Sequence, residues 1–223
     1  MRSEFEWKSF DTFIFDLDGT LVDSLKQIES ALDIARINFG YVATPEGQAF
    51  KRLGLPIGEL LSDLDLSYNV QEEIIIYFRN ELAKQISISN QLFVGTKELL
   101  IILSIRGIKI AIATSKPTYL AKMVIENSEV SDLVNFVQGT DNFPAKPDPE
   151  VIKRCISVLK CNNPIMIGDR IEDIEAASSA GISSVGIAQS AHSEELLTKA
   201  GAICTFKNID LLYRFVLSSL KKN

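Results

Sequence analysis

Two carboxylates with one residue between them close an apolar run in Phe13-Ile14-Phe15-Asp16-Leu17-Asp18, and Gly19-Thr20 then turns the chain beside a hydroxyl. Side chains alternate along an extended chain, so Asp16 and Asp18 share one side if the extension continues, and the turn at Gly19 gathers them about one point. Two crowded acids are costly unless a hard cation relieves them. Mg²⁺ takes oxygen ligands from one or two carboxylates plus a substrate phosphate, so the pattern points to phosphoryl transfer. In that chemistry Asp16 is the candidate nucleophile, forming an aspartyl phosphate that splits one hard displacement into two easier steps. Asp18 is the candidate that protonates the leaving alkoxide and later deprotonates water.

Charge gathering on the equatorial phosphoryl oxygens needs donors and cations. Thr114, the backbone amides around Ser115, and Lys146 are candidates, and Thr20, Ser115 and Lys116 are expected at the phosphate. Ser115 and Lys116 read equally as a polar helix entry ahead of Pro117. Gly168-Asp169-Arg170-Ile171-Glu172-Asp173 opens a helix with acids in its first turn, which the helix dipole favours whatever the function. In the sharper reading Asp169 completes a metal site with Asp16 and the backbone carbonyl of Asp18, while Asp173, one turn on, supports bound waters or Lys146.

Only a fold can unite residues so far apart in sequence. Residues 10–15 read as a short buried strand that stops at Asp16. From 23 to 39, Leu25, Ile28, Leu32, Ala35 and Phe39 recur at helical steps, and Gly40 stops the helix. Thr44-Pro45 starts another helix, Gly54-Leu55-Pro56 interrupts it, and 57–64 and 70–86 are again helical. Beyond Asn90 helices at 96–105, 118–127, 149–159 and 171–180 alternate with strands at 108–113, 134–137, 164–167 and 183–187. That alternation is the signature of a parallel sheet with right-handed crossovers. Such sheets bind ligands beyond the carboxyl ends of their strands, where Asp16, Thr114 and Asp169 all fall. The expected architecture is α/β: a Rossmann-like core of 1–21 and 91–223, with 22–90 as a helical insertion.

The 223 residues, 46% of them hydrophobic, suffice for one large or two modest domains. A net charge of −6 leaves no basic footprint for nucleic acid, so anionic substrates must be met by local cations. The longest apolar runs, 74–78 and 99–103, fall far short of the ~20 residues that span a bilayer. Residues 1–11 carry Glu4, Glu6 and Lys8 without an apolar signal-peptide core, so a cytoplasmic protein with no membrane partner is expected. Cys155, Cys161 and Cys204 lack the spacing of a disulfide framework or zinc site and read as reduced packing residues. His192, the single histidine, is expected on a surface loop, and Trp7, Met123 and Met166 are expected in packing. No signal sets an oligomeric state.

Taken in order, Asp16-Leu17-Asp18-Gly19-Thr20, the strand ending at Thr114-Ser115, Lys146-Pro147-Asp148-Pro149, and Gly168-Asp169 with Asp173 resemble the four motifs of the haloacid dehalogenase superfamily. The match runs across nearly the whole chain, and the helical insertion resembles the cap of the phosphoglycolate phosphatase and β-phosphoglucomutase branch. The resemblance implies a required Mg²⁺, an aspartyl-phosphate intermediate, and a mobile cap over small phosphorylated substrates. Asp18 and Thr20 argue against the dehalogenases themselves. No histidine occurs in residues 22–90, which favours a phosphatase over a β-phosphoglucomutase-like mutase, the alternative within the family. A phosphate-binding module without catalysis is the alternative of another class, and the presence of both Asp16 and Asp18 counts against it. Ser115 stands where asparagine is common in the branch, and Leu25-Lys26-Gln27 replaces a frequent Pro-containing helix start. Lys51-Arg52-Leu53-Gly54-Leu55-Pro56 is either an exposed basic loop or a substrate-reading one, in which Arg52 meets a second anionic group.

Overall fold

The computed structural model describes residues 5–44, 57–188 and 190–220. Strand β1 (Thr12–Phe15) is buried at every position. Phe13 and Phe15 join one hydrophobic cluster and Ile14 another, the alternation imposed on a strand covered on both faces. Its neighbours are β2 (Lys109–Ala113), β3 (Phe136–Gln138), β4 (Pro164–Gly168), β5 (Ser183–Ile187) and β6 (Cys204–Phe206). The six strands lie in the order β3-β2-β1-β4-β5-β6, and every pairing is parallel. Phe15 stands opposite Ile112 of β2 and Ile167 of β4, so Asp16, Thr114 and Asp169 leave the sheet within a residue of one level. Chain order reverses at β1 and β4, which opens a crevice there.

Helices α1 (Leu25–Asn38), α2 (Ile57–Leu60) and α3 (Tyr68–Ile88) fall between β1 and β2, ahead of α4 (Thr96–Ile105). The rest are α5 (Thr118–Glu126), α6 (Glu150–Leu159), α7 (Ile171–Ser179), α8 (Ala191–Ala200) and α9 (Ile209–Leu220). Val151 and Ile152 of α6 and Ala176 and Ala177 of α7 pack on the Ile14 face. Leu99 of α4, Leu120 of α5 and Leu212 of α9 belong to the cluster on the Phe13 and Phe15 face.

The expected α/β core with a helical insertion is therefore present. At the insertion's two ends the chain pairs with itself: Asp23 N donates to Gln91 O at 2.8 Å, Phe93 N donates to Leu21 O at 2.9 Å, and Val22 and Leu92 form an antiparallel bridge. Within the insertion α1 lies against α3. Arg36 is fully buried there, donating from both terminal nitrogens to Asp63 at 3.1 and 2.9 Å and from Nε to Val42 O at 2.8 Å. A bidentate pair with its donors occupied is the form in which a buried guanidinium is tolerable.

Several elements differ from the sequence expectations. A 3₁₀ turn, Trp7–Ser9, delays β1 to Thr12. The helix expected over 57–64 stops at Leu60, and the Ser131–Leu133 turn delays β3 to Phe136. Beyond β5 the chain adds α8, β6 and α9, none of which the periodicity assigned. His192 is exposed as expected but sits in the first turn of α8 rather than in a loop, because Ser190 caps that helix by accepting from Ser193 N at 3.1 Å. The cysteines are free, with Cys155 and Cys204 buried. No helix among the described residues is long and apolar enough to cross a membrane. The expected helix start at Pro45 and the 51–56 segment with Arg52 lie outside the described residues.

Candidate active site

The turn after Asp18 is fixed by a close approach. Gly19 has φ +86°, and a Cβ there would stand 2.6 Å from Asp169 Oδ2, so only glycine fits both the backbone and the space. The next residue ties the same two segments together: Thr20 Oγ1 donates to Asp169 Oδ1 at 2.6 Å. Thr20 is fully buried, so its hydroxyl, expected at the phosphate, instead holds the Asp169 carboxylate.

Lys146 occupies the centre. Its Nζ donates to Asp16 Oδ1 at 2.6 Å, Asp173 Oδ1 at 2.5 Å and Ala113 O at 3.0 Å, which uses all three ammonium donors. Asp173 also accepts from Arg170 N at 3.1 Å with its other oxygen, closing the N-terminus of α7. Its carboxylate packs over Gly168, where a Cβ would lie 2.2 Å from Oδ2. Through Oδ1 the Asp173 carboxylate supports Lys146.

Burial raises the Asp16 carboxyl to about 7; Asp173 and Asp18 push the same way and Lys146 opposes them. Burial also lifts Asp169 well above the ordinary carboxylate value, helped by repulsion from Asp16 and Asp173. For Lys146 burial favours the neutral amine, but the carboxylates of Asp16 and Asp173 outweigh it and hold the ammonium above its usual value. Three carboxyl groups crowd beside a single ammonium. Asp16, Asp169 and Asp173 offer oxygens within 4.8 Å of one another, and an all-oxygen donor set with raised carboxyls suits a hard divalent ion. Asp173 is already committed to Lys146 and the α7 terminus, which leaves Asp16 and Asp169 as the side chains freest to bind one.

Asp18 turns elsewhere. Its Oδ2 is paired with Lys116 Nζ at 3.0 Å, and its Oδ1 is buried without a partner. Lys116, expected at the phosphate, thus grips Asp18, and its backbone N donates to Thr114 Oγ1 at 3.3 Å.

A cavity of about 290 Å³ opens beside these groups. Asp16, Asp18, Thr114, Ser115, Lys116 and Lys146 line one side, together with Asp173, while Thr20 and Asp169 do not belong to its lining. The insertion supplies Ile28 from α1, Ile57 and Leu60 from α2, and Phe78, Arg79 and Leu82 from α3. Sequence reasoning missed Arg79. The available signal was a cation within the apolar stripe of Ile75, Phe78, Leu82 and Ile86, where a solvated helix face would not place it.

A family model described as haloacid dehalogenase-like hydrolase matches residues 13–187. The chain is 30% identical over 224 residues to a phosphoglycolate phosphatase of Vibrio cholerae, covering 95% of this chain and 99% of that protein. The crystal structure of a predicted phosphatase from Clostridium acetobutylicum superposes with a TM-score of 0.82 at 26% identity, covering 94% and 99% of the two chains. A haloacid dehalogenase-like family hydrolase of Streptococcus pneumoniae gives 0.81 at 24% identity, covering 95% and 99%.

Proposed function

The chain belongs to the haloacid dehalogenase-like hydrolases, and from that premise we propose that it is a cytoplasmic, Mg²⁺-dependent phosphatase acting on a small phosphorylated metabolite, in the manner of its phosphoglycolate phosphatase relatives. The observation that carries the reading is Asp16, a carboxylate at the carboxyl end of the central strand, lining the cavity with one oxygen held by Lys146. Asp16 attacks phosphorus, an O–P bond forms, and the ester bond to the leaving group breaks. Asp18 gives the departing alkoxide its proton. Water then attacks the aspartyl phosphate, Asp18 takes the water's proton, and phosphate leaves with Asp16 restored.

Lys116 fixes Asp18 through Oδ2, so the unpartnered Oδ1 is the atom suited to carry that proton. The Thr114–Lys116 segment would meet the charge on the phosphoryl oxygens, and Lys146, its donors taken by Asp16, Asp173 and Ala113 O, would act through its charge alone. Mg²⁺ held by Asp16 and Asp169, with the Asp18 carbonyl, would neutralise carboxylates and phosphoryl oxygens together. Residues 22–90 form the cap in this reading, and 1–21 with 91–223 form the core. The cavity suits a substrate smaller than most drug-sized ligands.

Phosphate release from a panel of phosphomonoesters, with Mg²⁺ and with EDTA, tests the proposal. Hydrolysis that needs Mg²⁺ is expected. Conversion of β-glucose 1-phosphate to its isomer without free phosphate would favour the mutase instead.

A further inference from the structure

The cavity is strongly acidic on its core side, where Asp16, Asp18, Asp141, Glu172 and Asp173 all line it. A substrate with an anionic group besides its phosphate would be repelled unless a cation received that group. The cations that line the cavity among the described residues are Lys116, Lys146, Arg79 and Arg170. Lys146 is saturated by Asp16, Asp173 and Ala113 O, Lys116 is paired with Asp18, and Arg170 is paired with Glu172. Arg79 is different: it has no hydrogen bond or ion pair among the described residues, and it is partly buried on α3.

Its surroundings sharpen the contrast. The other insertion side chains on that wall, Ile28, Ile57, Leu60, Phe78 and Leu82, are aliphatic or aromatic and offer no hydrogen bonds to a hydroxylated substrate. An unpaired guanidinium beside an apolar wall bears a desolvation cost that an arriving anion removes. Its planar fork matches a carboxylate or phosphate with two parallel hydrogen bonds.

We propose that Arg79 is the specificity-determining residue that receives a second anionic group on the leaving portion of the substrate, so that the enzyme selects phosphomonoesters of short, otherwise apolar acids over esters whose leaving portion is neutral or cationic. This rests on the phosphatase reading above and names its substrate class. Phosphate enters on the core side against Asp16, the short apolar body lies along Phe78 and Leu82, and the distal anion meets Arg79 from the insertion.

The test compares kcat/KM for 2-phosphoglycolate, p-nitrophenyl phosphate, which carries no charge beyond its phosphate, and O-phosphoethanolamine in the wild type, Arg79→Ala and Arg79→Glu. The expected wild type prefers 2-phosphoglycolate. In Arg79→Ala its selectivity over p-nitrophenyl phosphate falls by about tenfold to a hundredfold. Arg79→Glu shifts selectivity further, towards O-phosphoethanolamine, whose ammonium suits the new carboxylate. If the wild type is active but both variants lose rate on all three esters in equal proportion, Arg79 serves folding or cap closure and the proposal is overturned. A wild type inert towards every ester overturns the phosphatase reading itself.

Discussion

Lys146 Nζ stands 2.6 Å from Asp16 Oδ1, joining residues 130 positions apart. The same ammonium bridges to Asp173, so two buried carboxylates share one cation. Lys146→Ala should therefore cost about 3 kcal/mol of stability, because removing one member of a buried charge group leaves the others uncompensated. Turnover should also fall by about a hundredfold or more. Chemical denaturation together with phosphate release checks both, and a variant as stable and active as the parent would show that Lys146 neither neutralises these carboxylates nor serves turnover.

Asp16→Asn should abolish turnover without unfolding the protein. The amide cannot attack phosphorus, yet it replaces a carboxyl that burial already pushes up to about 7, so folding loses little. Thermal melts should stay close to those of the parent. Activity within tenfold of wild type would remove Asp16 as nucleophile.

Asp18→Asn should hurt poor leaving groups most, since an alkoxide needs the proton that p-nitrophenolate does not. Its unpartnered Oδ1 motivates the assignment. Comparing an alkyl phosphate with p-nitrophenyl phosphate checks it; equal losses on both would argue against the acid role.

Metal and pH should act on stability in opposite senses. Asp16 has its carboxyl raised from 3.8 to about 7, chiefly by burial, so the folded protein holds a proton that the unfolded chain has released. The stability contributed by that proton is complete below 3.8 and is lost as pH rises to about 7, and the raised Asp169 adds to the same trend. Melting temperature in EDTA should thus drop between pH 4 and about pH 7. Mg²⁺ should raise it more at the upper end than at the lower. A Mg²⁺ increment independent of pH would show that the ion does not compete with these protons.

Gly168→Ala places a methyl 2.2 Å from Asp173 Oδ2 and must displace that carboxylate from Lys146. A loss of about 1–3 kcal/mol is expected from overpacking, with a lowered kcat. Unchanged kcat in a destabilised variant would separate packing from catalysis at this position.

The strand-end acids and the alternation of strand and helix were legible because both are local: a short period, then a chemical group where the period stops. Side-chain direction was not. Thr20 lies in the first motif, yet only the approach of Asp169 across the sheet turns its hydroxyl away from the cavity. Arg79 stands on the apolar stripe of α3, but the stripe alone does not say that this face borders a cavity rather than another helix, which only the packing of α3 decides. The last strand, Cys204–Phe206, is three residues long and too short to display a period.

The paired segments at Leu21–Asp23 and Gln91–Phe93 make the insertion's entry and exit near neighbours. The core therefore sees almost the same end-to-end distance whatever chain is strung between them, and lengthening that chain adds only a slowly growing closure entropy. On the proposed reading, new substrate ranges would then be within reach of recombination: a foreign helical segment spliced in beyond Leu21 and before Phe93 would inherit the core's strand-end carboxylates intact, and natural selection would have only to refine the wall that faces them.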